Sequence, residues 1–214
     1  MFSPEFNLFD QALLLLTGLI AIYVIIRLFG RYSAHRAIYD IYYVIAFAVL
    51  LVAGLLLIIF GYEQLDNPLV EVVGVLIPAG LAAGLVAQFY PQYHYPFLAF
   101  AVIFLILVAL TRLVAPGSAI GTVVLVIVHA VSGLLILLVP ILAARAGKTR
   151  GAFTSVSLGG ILIDAGGMAL AFLAAGSQLL FFSGNVVLAI LALLLLLMML
   201  AFAYGFVRDI QRMA

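Results

Sequence analysis

Two ionisable residues lie inside long apolar stretches of this 214-residue chain and are the first candidates for chemistry. His129 lies within the run 119–144, and Asp164 lies within the run 152–175. An ionisable side chain in such a segment costs roughly 2.5–3.5 kcal/mol on membrane-insertion scales, which marks it as a functional candidate. Together, an imidazole and a carboxylate can relay protons, bind an ion or anchor the polar end of a ligand. The alternative interpretation is a hydrogen bond between helices that fixes their packing.

The elements that position these two residues are predicted to be membrane-spanning helices. The chain is 68% hydrophobic and only 8% charged, whereas soluble domains are about 45–50% apolar and about 25% charged. This composition excludes an ordinary soluble enzyme. The formal net charge is only +1, which excludes nucleic acid as a partner because surfaces that bind it are strongly basic. Cysteine is absent, so cysteine-ligated zinc and iron–sulfur clusters are excluded as well.

Seven segments are long enough to cross a bilayer, since a spanning helix needs about 20 apolar residues. The predicted helices cover approximately residues 11–29, 39–60, 69–89, 97–114, 119–144, 152–175 and 185–207. These segments lack the apolar–polar alternation that is typical of strands in membrane barrels. We therefore predict an all-α, polytopic integral membrane protein in which residues 1–214 form a single seven-transmembrane-helix bundle. Asp40 is expected to cap the N-terminus of the second helix.

The basic residues predict how this bundle is oriented. Every lysine and arginine except Arg112 falls on one side of the predicted membrane. The positive-inside rule then places the N-terminus outside and the C-terminus in the cytoplasm. We accordingly expect an integral protein of the cytoplasmic (inner) membrane.

His129 and Asp164 are predicted to lie at the same depth. His129 follows the start of its helix by ten residues, and Asp164 precedes the end of the next helix by eleven. At 1.5 Å per residue, both are about 15 Å from the outer boundary, near the middle of a bilayer core about 30 Å thick. Consecutive antiparallel helices are usually neighbours, so a hydrogen bond between the two side chains is a possible geometry.

Two further groups of polar residues lie near the predicted helix ends. Glu71 and Arg112 lie near the outer ends of the third and fourth helices, where they form either an entrance for a charged solute or an interfacial charge pair. The cytoplasmic loop between those helices holds Tyr90, Tyr93, His94 and Tyr95. This loop is interpreted either as a surface that docks a partner protein or as an interfacial aromatic belt.

Small residues in two helices predict close packing. Gly80 and Gly84 form a G-x-x-x-G motif in the third helix, and glycines flank Asp164 in the sixth. Small residues allow a neighbouring backbone to approach closely. In the sixth helix, they alternatively leave room for a ligand or water beside Asp164.

The sequence shows no motif that indicates a catalytic, metal or cofactor site. The chain contains neither the H-E-x-x-H zinc motif nor the G-x-S-x-G nucleophile motif. No metal site is expected, because His129 is the one histidine at mid-depth. Seven helices with an outside N-terminus are similar in number and orientation to the microbial opsins. Retinal attachment would require a lysine in the seventh helix, however, and the single lysine, Lys148, lies in a loop. We therefore expect no cofactor.

The shortage of buried polar residues favours a non-catalytic function. We expect a receptor- or sensor-like module, or a subunit of a larger membrane complex, that binds an apolar or lipid-like ligand. The alternative is a small transporter or proton-coupled permease that uses Asp164 and His129. Enzyme activity ranks third and would need a nucleophile such as Ser132 beside His129. The expected partners are the lipid bilayer and a separate membrane or cytoplasmic protein; an oligomer is a further possibility.

Overall fold

A computed structural model describes residues 7–115, 118–174 and 184–213, and across these ranges it is helical with no strand. The helices are α1 Leu8–His35, α2 Ile38–Phe60, α3 Pro68–Gly74, α4 Leu76–Phe89, α5 His94–Val114, α6 Ala119–Arg145, α7 Ser155–Ala174 and α8 Gly184–Met213. Short 3-10 helices cover Tyr62–Asp66, Pro91–Tyr93 and Gly151–Thr154. With α3 and α4 counted as one span, seven helical stretches in the described ranges are long and apolar enough to cross a membrane. The all-α prediction and the number of spans are therefore confirmed.

The successive spans alternate in direction, so the bundle has two distinct ends. The N-side is the end where α1, α3, α6 and α8 begin, and the C-side is the end where α1, α4, α6 and α8 finish. Helices α1 and α8 run parallel and pack against each other, and α1 also packs against α2. Helix α7 packs between α6 and α8.

Two helices extend further on the C-side than the sequence predicted. Helix α1 continues beyond residue 29 to His35, and α8 continues beyond residue 207 to Met213. The added turns place Arg31 and Asp209 inside helices rather than in loops. The predicted end of the sixth helix, at residue 175, lies outside the described residues.

The expectation that Asp40 caps α2 is wrong. Ala37 occupies the N-cap position without a side-chain hydrogen bond, and Asp40 lies within the first turn of the helix. The carboxylate of Asp40 binds Arg31 instead. The helix begins at Ile38, two residues before Asp40, so the N-cap position falls on Ala37 rather than on Asp40.

The G-x-x-x-G motif packs α4 closely against α2. A Cβ added at Gly80 would lie 3.2 Å from the Ala46 side chain and 3.2 Å from the Tyr42 carbonyl. A Cβ added at Gly84 would overlap the ring of Tyr43. The close approach that was predicted for this motif is therefore present, and it occurs within one chain.

The third span is divided into α3 and α4 at Val75. Pro78 lies just after the division and has no backbone N–H. The carbonyl of Gly74, four residues earlier, therefore receives no helical hydrogen bond from that position. A proline near the break is a sufficient cause for it.

Candidate functional site

His129 and Asp164 lie on facing helices, each opposite a glycine of the other helix. A Cβ at Gly133 of α6 would overlap the Asp164 carboxylate. A Cβ at Gly167 of α7 would lie 2.9 Å from His129 Cδ2 and 3.1 Å from His129 Nε2. The two polar side chains thus occupy neighbouring levels of the interface between α6 and α7.

The two side chains are nevertheless not hydrogen-bonded to each other in the described structure. His129 Nδ1 lies 3.2 Å from the Leu125 carbonyl oxygen. Asp164 Oδ1 is buried without a hydrogen-bond partner. The hydroxyl of Ser132 is also buried without a partner, so a serine activated by His129 is not formed among these residues.

A cavity of about 190 Å³ lies beside His129 in the N-side half of the bundle. Its apolar walls include Leu14 of α1, Leu50 and Leu57 of α2, Ile77 of α4, Leu125 of α6, Ile163 and Leu170 of α7, and Leu191, Leu194 and Leu195 of α8. An engineered apolar cavity of about 150 Å³ in another protein stays dry and binds benzene. A cavity of this size and lining can therefore hold a small apolar molecule or part of a larger one.

Glycines create part of this space, though not where the sequence suggested. Gly166 and Gly167 of α7 and Gly54 of α2 line the cavity. The described lining includes His129 but not Asp164. Room for a ligand is therefore present beside His129, and Asp164 lies within the neighbouring helix interface.

Glu71 and Arg112 form an ion pair at the N-side, with Arg112 Nε 2.7 Å from Glu71 Oε2. The Arg112 side chain is 3% exposed, and that of Glu71 is 15% exposed. Glu71 also contributes to the cavity wall. The geometry corresponds to the charge-pair interpretation of these residues, in a position that borders the cavity.

A second polar assembly, which the sequence did not reveal, lies at the opposite end. We call it the C-side cluster, and it consists of Arg31, Asp40, Gln88, Thr149 and Asp209. Arg31 Nε donates to Asp40 Oδ1 at 2.7 Å, and Arg31 Nη1 donates to Asp209 Oδ2 at 3.1 Å. Asp209 also accepts hydrogen bonds from Thr149 Oγ1 at 2.6 Å and from Gln88 Nε2 at 3.0 Å. The cluster joins α1, α2, α4, the α6–α7 connection and α8.

The C-side cluster is shielded from solvent and continues into the apolar core. Arg31, Asp40, Thr149 and Asp209 are all buried. The buried Tyr43 donates from its hydroxyl to Gln88 Oε1 at 2.8 Å. The charges of Arg31, Asp40 and Asp209 are paired with one another, and pairing is the condition under which buried charges are tolerated.

The proposed partner-docking residues divide into two pairs, Tyr90 with His94 and Tyr93 with Tyr95. His94 Nε2 lies 2.9 Å from the Tyr42 hydroxyl, and Lys148 Nζ lies 4.8 Å from the centre of the Tyr90 ring. Tyr93 and Tyr95 are 61% and 76% exposed. The first pair therefore contributes to contacts within the chain, and the second is accessible to lipid or to another protein.

No group of three or more histidine, cysteine, aspartate or glutamate residues within the described ranges could hold a metal ion. Comparisons with protein-family models, with curated proteins and with solved structures found no match to this chain. Its activity must therefore be inferred from its own residues.

Proposed function

We propose that this protein is a non-catalytic seven-helix membrane protein that binds an apolar, lipid-like molecule between its helices. It would act as a receptor- or sensor-like module or as a subunit of a larger membrane complex. The observation that carries the proposal is the cavity of about 190 Å³, to which six of the seven spans contribute. Its apolar walls offer dispersion contacts to an apolar ligand, and an empty cavity lacks those contacts.

A ligand in this cavity would touch several helices at once. Leu14 of α1, Leu57 of α2 and Leu191 of α8 line the cavity, and their helices reach the C-side cluster at their other ends. A ligand shifts a conformational equilibrium by the difference in its affinity for the two states. Binding that favours one arrangement of these helices would therefore act on their C-side ends.

The charge distribution supports a C-side that faces the cytoplasm. Among the residues whose exposure is described, the exposed basic residues there are Arg36, Arg145, Lys148, Arg150 and Arg208. The two acidic residues described at that end, Asp40 and Asp209, are both buried and bound to Arg31. An excess of exposed positive charge is typical of the cytoplasmic face. In this orientation, the cavity lies in the outer half of the cytoplasmic (inner) membrane.

A small transporter or proton-coupled permease is the second candidate function. It is favoured by the buried Asp164 Oδ1, which has no hydrogen-bond partner, because intramembrane carboxyl groups often mark ion pathways. A transporter needs a polar path to this group. The described lining of the cavity does not include Asp164, and the C-side cluster occupies the other end, so ligand binding ranks first.

A cavity-filling variant tests the proposal. Gly54 lines the cavity, and a Cβ added there meets no heavy atom within 4 Å. In nanodiscs, we expect a photoreactive diazirine derivative of octane to label peptides around Leu125 and Leu191. Gly54→Phe should abolish this labelling and raise the melting temperature, because its ring replaces the void.

Gly30→Phe is the matched control. A Cβ added at Gly30 also meets nothing within 4 Å, but Gly30 is exposed on α1 and does not line the cavity. This variant should keep the labelling of the unmodified protein. The proposal is wrong if Gly54→Phe is labelled like the control, or if labelling is confined to lipid-facing peptides.

A further inference from the structure

The hydrogen bond of His129 determines what its other ring nitrogen can offer. The Leu125 carbonyl oxygen can only accept, so Nδ1 of His129 must carry the proton in their 3.2 Å contact. The surrounding wall is apolar, which disfavours a second proton on the ring. Nε2 is then a hydrogen-bond acceptor, on a residue that lines the cavity.

Thr17 is a second polar side chain on the wall, and its hydroxyl hydrogen is also bonded to a carbonyl of its own helix. Its hydroxyl donates to the Leu13 carbonyl at 2.8 Å, which leaves only lone pairs on Oγ1 to face a ligand. Thr17 lies on α1 and His129 on α6. Two separate helices therefore present acceptors to the same cavity.

The third span adds acceptors as well. Gly74 lines the cavity, and its carbonyl receives no helical N–H from Pro78. Glu71, bound by Arg112, contributes a carboxylate, which also accepts hydrogen bonds. Arg112 itself is absent from the described lining. Each polar side chain on that lining thus presents an acceptor and no remaining donor.

We infer that the cavity selects apolar molecules that carry a hydroxyl group, in the class of aliphatic alcohols. A hydroxyl hydrogen satisfies one of the wall acceptors, and the apolar chain contacts the leucines. Ethers, esters and carboxylates offer only acceptors, so they would leave Nε2 of His129 without a hydrogen-bond donor. This inference names the ligand class of the proposed cavity and rests on the proposed function.

A matched pair of photoreactive probes tests this selectivity. The probes are 3-azioctanol and its methyl ether, which differ in the hydroxyl donor. Both are applied to the full chain in nanodiscs, and labelling of cavity peptides is divided by labelling of lipid-facing peptides to correct for partition into the bilayer. We expect the alcohol to exceed the ether by about twofold to tenfold in the cavity, the contribution of one neutral hydrogen bond.

Two variants assign the preference to His129. His129→Phe removes the acceptor and should bring the ratio of alcohol to ether to about one. His129→Gln supplies a side-chain carbonyl and should restore part of the preference. If His129→Phe retains the full preference, the assignment to Nε2 is overturned.

The outcomes separate this inference from the proposed function. Equal cavity labelling by the alcohol and the ether overturns the inference and leaves an apolar binding site in place. Stronger labelling by the ether overturns it equally. If neither probe labels the cavity and the octane derivative also fails, the proposed function is overturned together with the inference.

Discussion

The two ends of this bundle use buried space in opposite ways. The N-side half contains a cavity of about 190 Å³ with apolar walls. The C-side is filled by a hydrogen-bonded charge cluster next to the aromatic core of Phe47, Phe153, Phe202 and Phe206. A void among leucines loses dispersion contacts but leaves no charge unpaired. A buried charge cluster is stable only when its partners are in place. The C-side therefore requires one particular helix arrangement, and the N-side can adapt to what it contains.

The largest effect is expected when the C-side cluster loses its only cation. Arg31→Met leaves the buried carboxylates of Asp40 and Asp209 without their charged partner. We expect a loss of about 3–5 kcal/mol in the free energy of unfolding, the cost typical of an uncompensated buried charge. Unfolding in mixed micelles, titrated with denaturing detergent, measures this change.

Arg27→Met is the control for that variant. Arg27 lies one turn earlier on α1 and is partly exposed, so its loss should cost well under 1 kcal/mol. Equal losses for the two variants would show that the C-side cluster does not stabilise the fold.

The ion pair on the N-side is expected to contribute less. Arg112→Met removes the ion-pair partner Arg112 from Glu71, which is 15% exposed and borders the cavity. We expect a loss of about 1–3 kcal/mol in the free energy of unfolding, because the remaining carboxylate keeps some exposure. The double variant Glu71→Gln/Arg112→Met should recover most of it. A loss as large as that of Arg31→Met would mean that the two ends are equally intolerant of an unmatched charge.

Hydrophobicity predicted the spans and small residues predicted the close packing, but neither predicted the C-side cluster. The predicted helices end at residues 29 and 207, which leaves Arg31 in a loop and Asp209 in the C-terminal tail. A signal for Arg31 was nevertheless present in α1, where the buried residues Leu14, Thr17, Ala21, Val24 and Leu28 recur at intervals of three and four. Continuing that spacing by three residues reaches Arg31. The periodicity of the buried positions therefore predicts a longer α1 than hydrophobicity alone does.

Helix rotation was the second quantity that the sequence did not determine. Residue spacing placed His129 and Asp164 at similar depth, and they do lie on neighbouring levels of one interface. Whether they meet depends on the rotation of α6 and α7, which is set by the glycines each side chain faces. The cavity likewise depends on space left between six spans, which no single helix encodes.

Asp164 offers a variant that is expected to raise stability. Its Oδ1 is buried without a partner, so Asp164→Leu replaces an unsatisfied polar group with an apolar one of similar size. We expect a gain of about 1 kcal/mol in the free energy of unfolding. Asp40→Leu, the same substitution in the C-side cluster, should be destabilising because it removes a partner of Arg31. A loss at both positions would indicate that Asp164 has a partner in the membrane.

The last expected effect is at the N-side end of the bundle and depends on pH. Tyr62 is 9% exposed and packs against Leu14 and Leu57. Burial, together with the negative charge of Asp10, raises the pKa of Tyr62 to about 12. An unfolded tyrosine releases its proton near pH 10, so between about pH 10 and 12 the folded state holds a proton that the unfolded state has lost. Stability should therefore fall as the pH rises through this range.

Tyr62→Phe should remove that part of the fall while changing stability by less than about 1 kcal/mol below pH 10. Tyr204→Phe, at an exposed position on α8, controls for the loss of one phenol. Thermal melting in nanodiscs between pH 8 and pH 12 compares the three proteins. If Tyr62→Phe and wild type decline in parallel, water reaches Tyr62 readily, and the N-side is more open than its packing against Leu14 and Leu57 implies. If only the wild type declines steeply, the apolar packing continues from the cavity to the end of the bundle. A ligand must then enter between helices rather than past Tyr62.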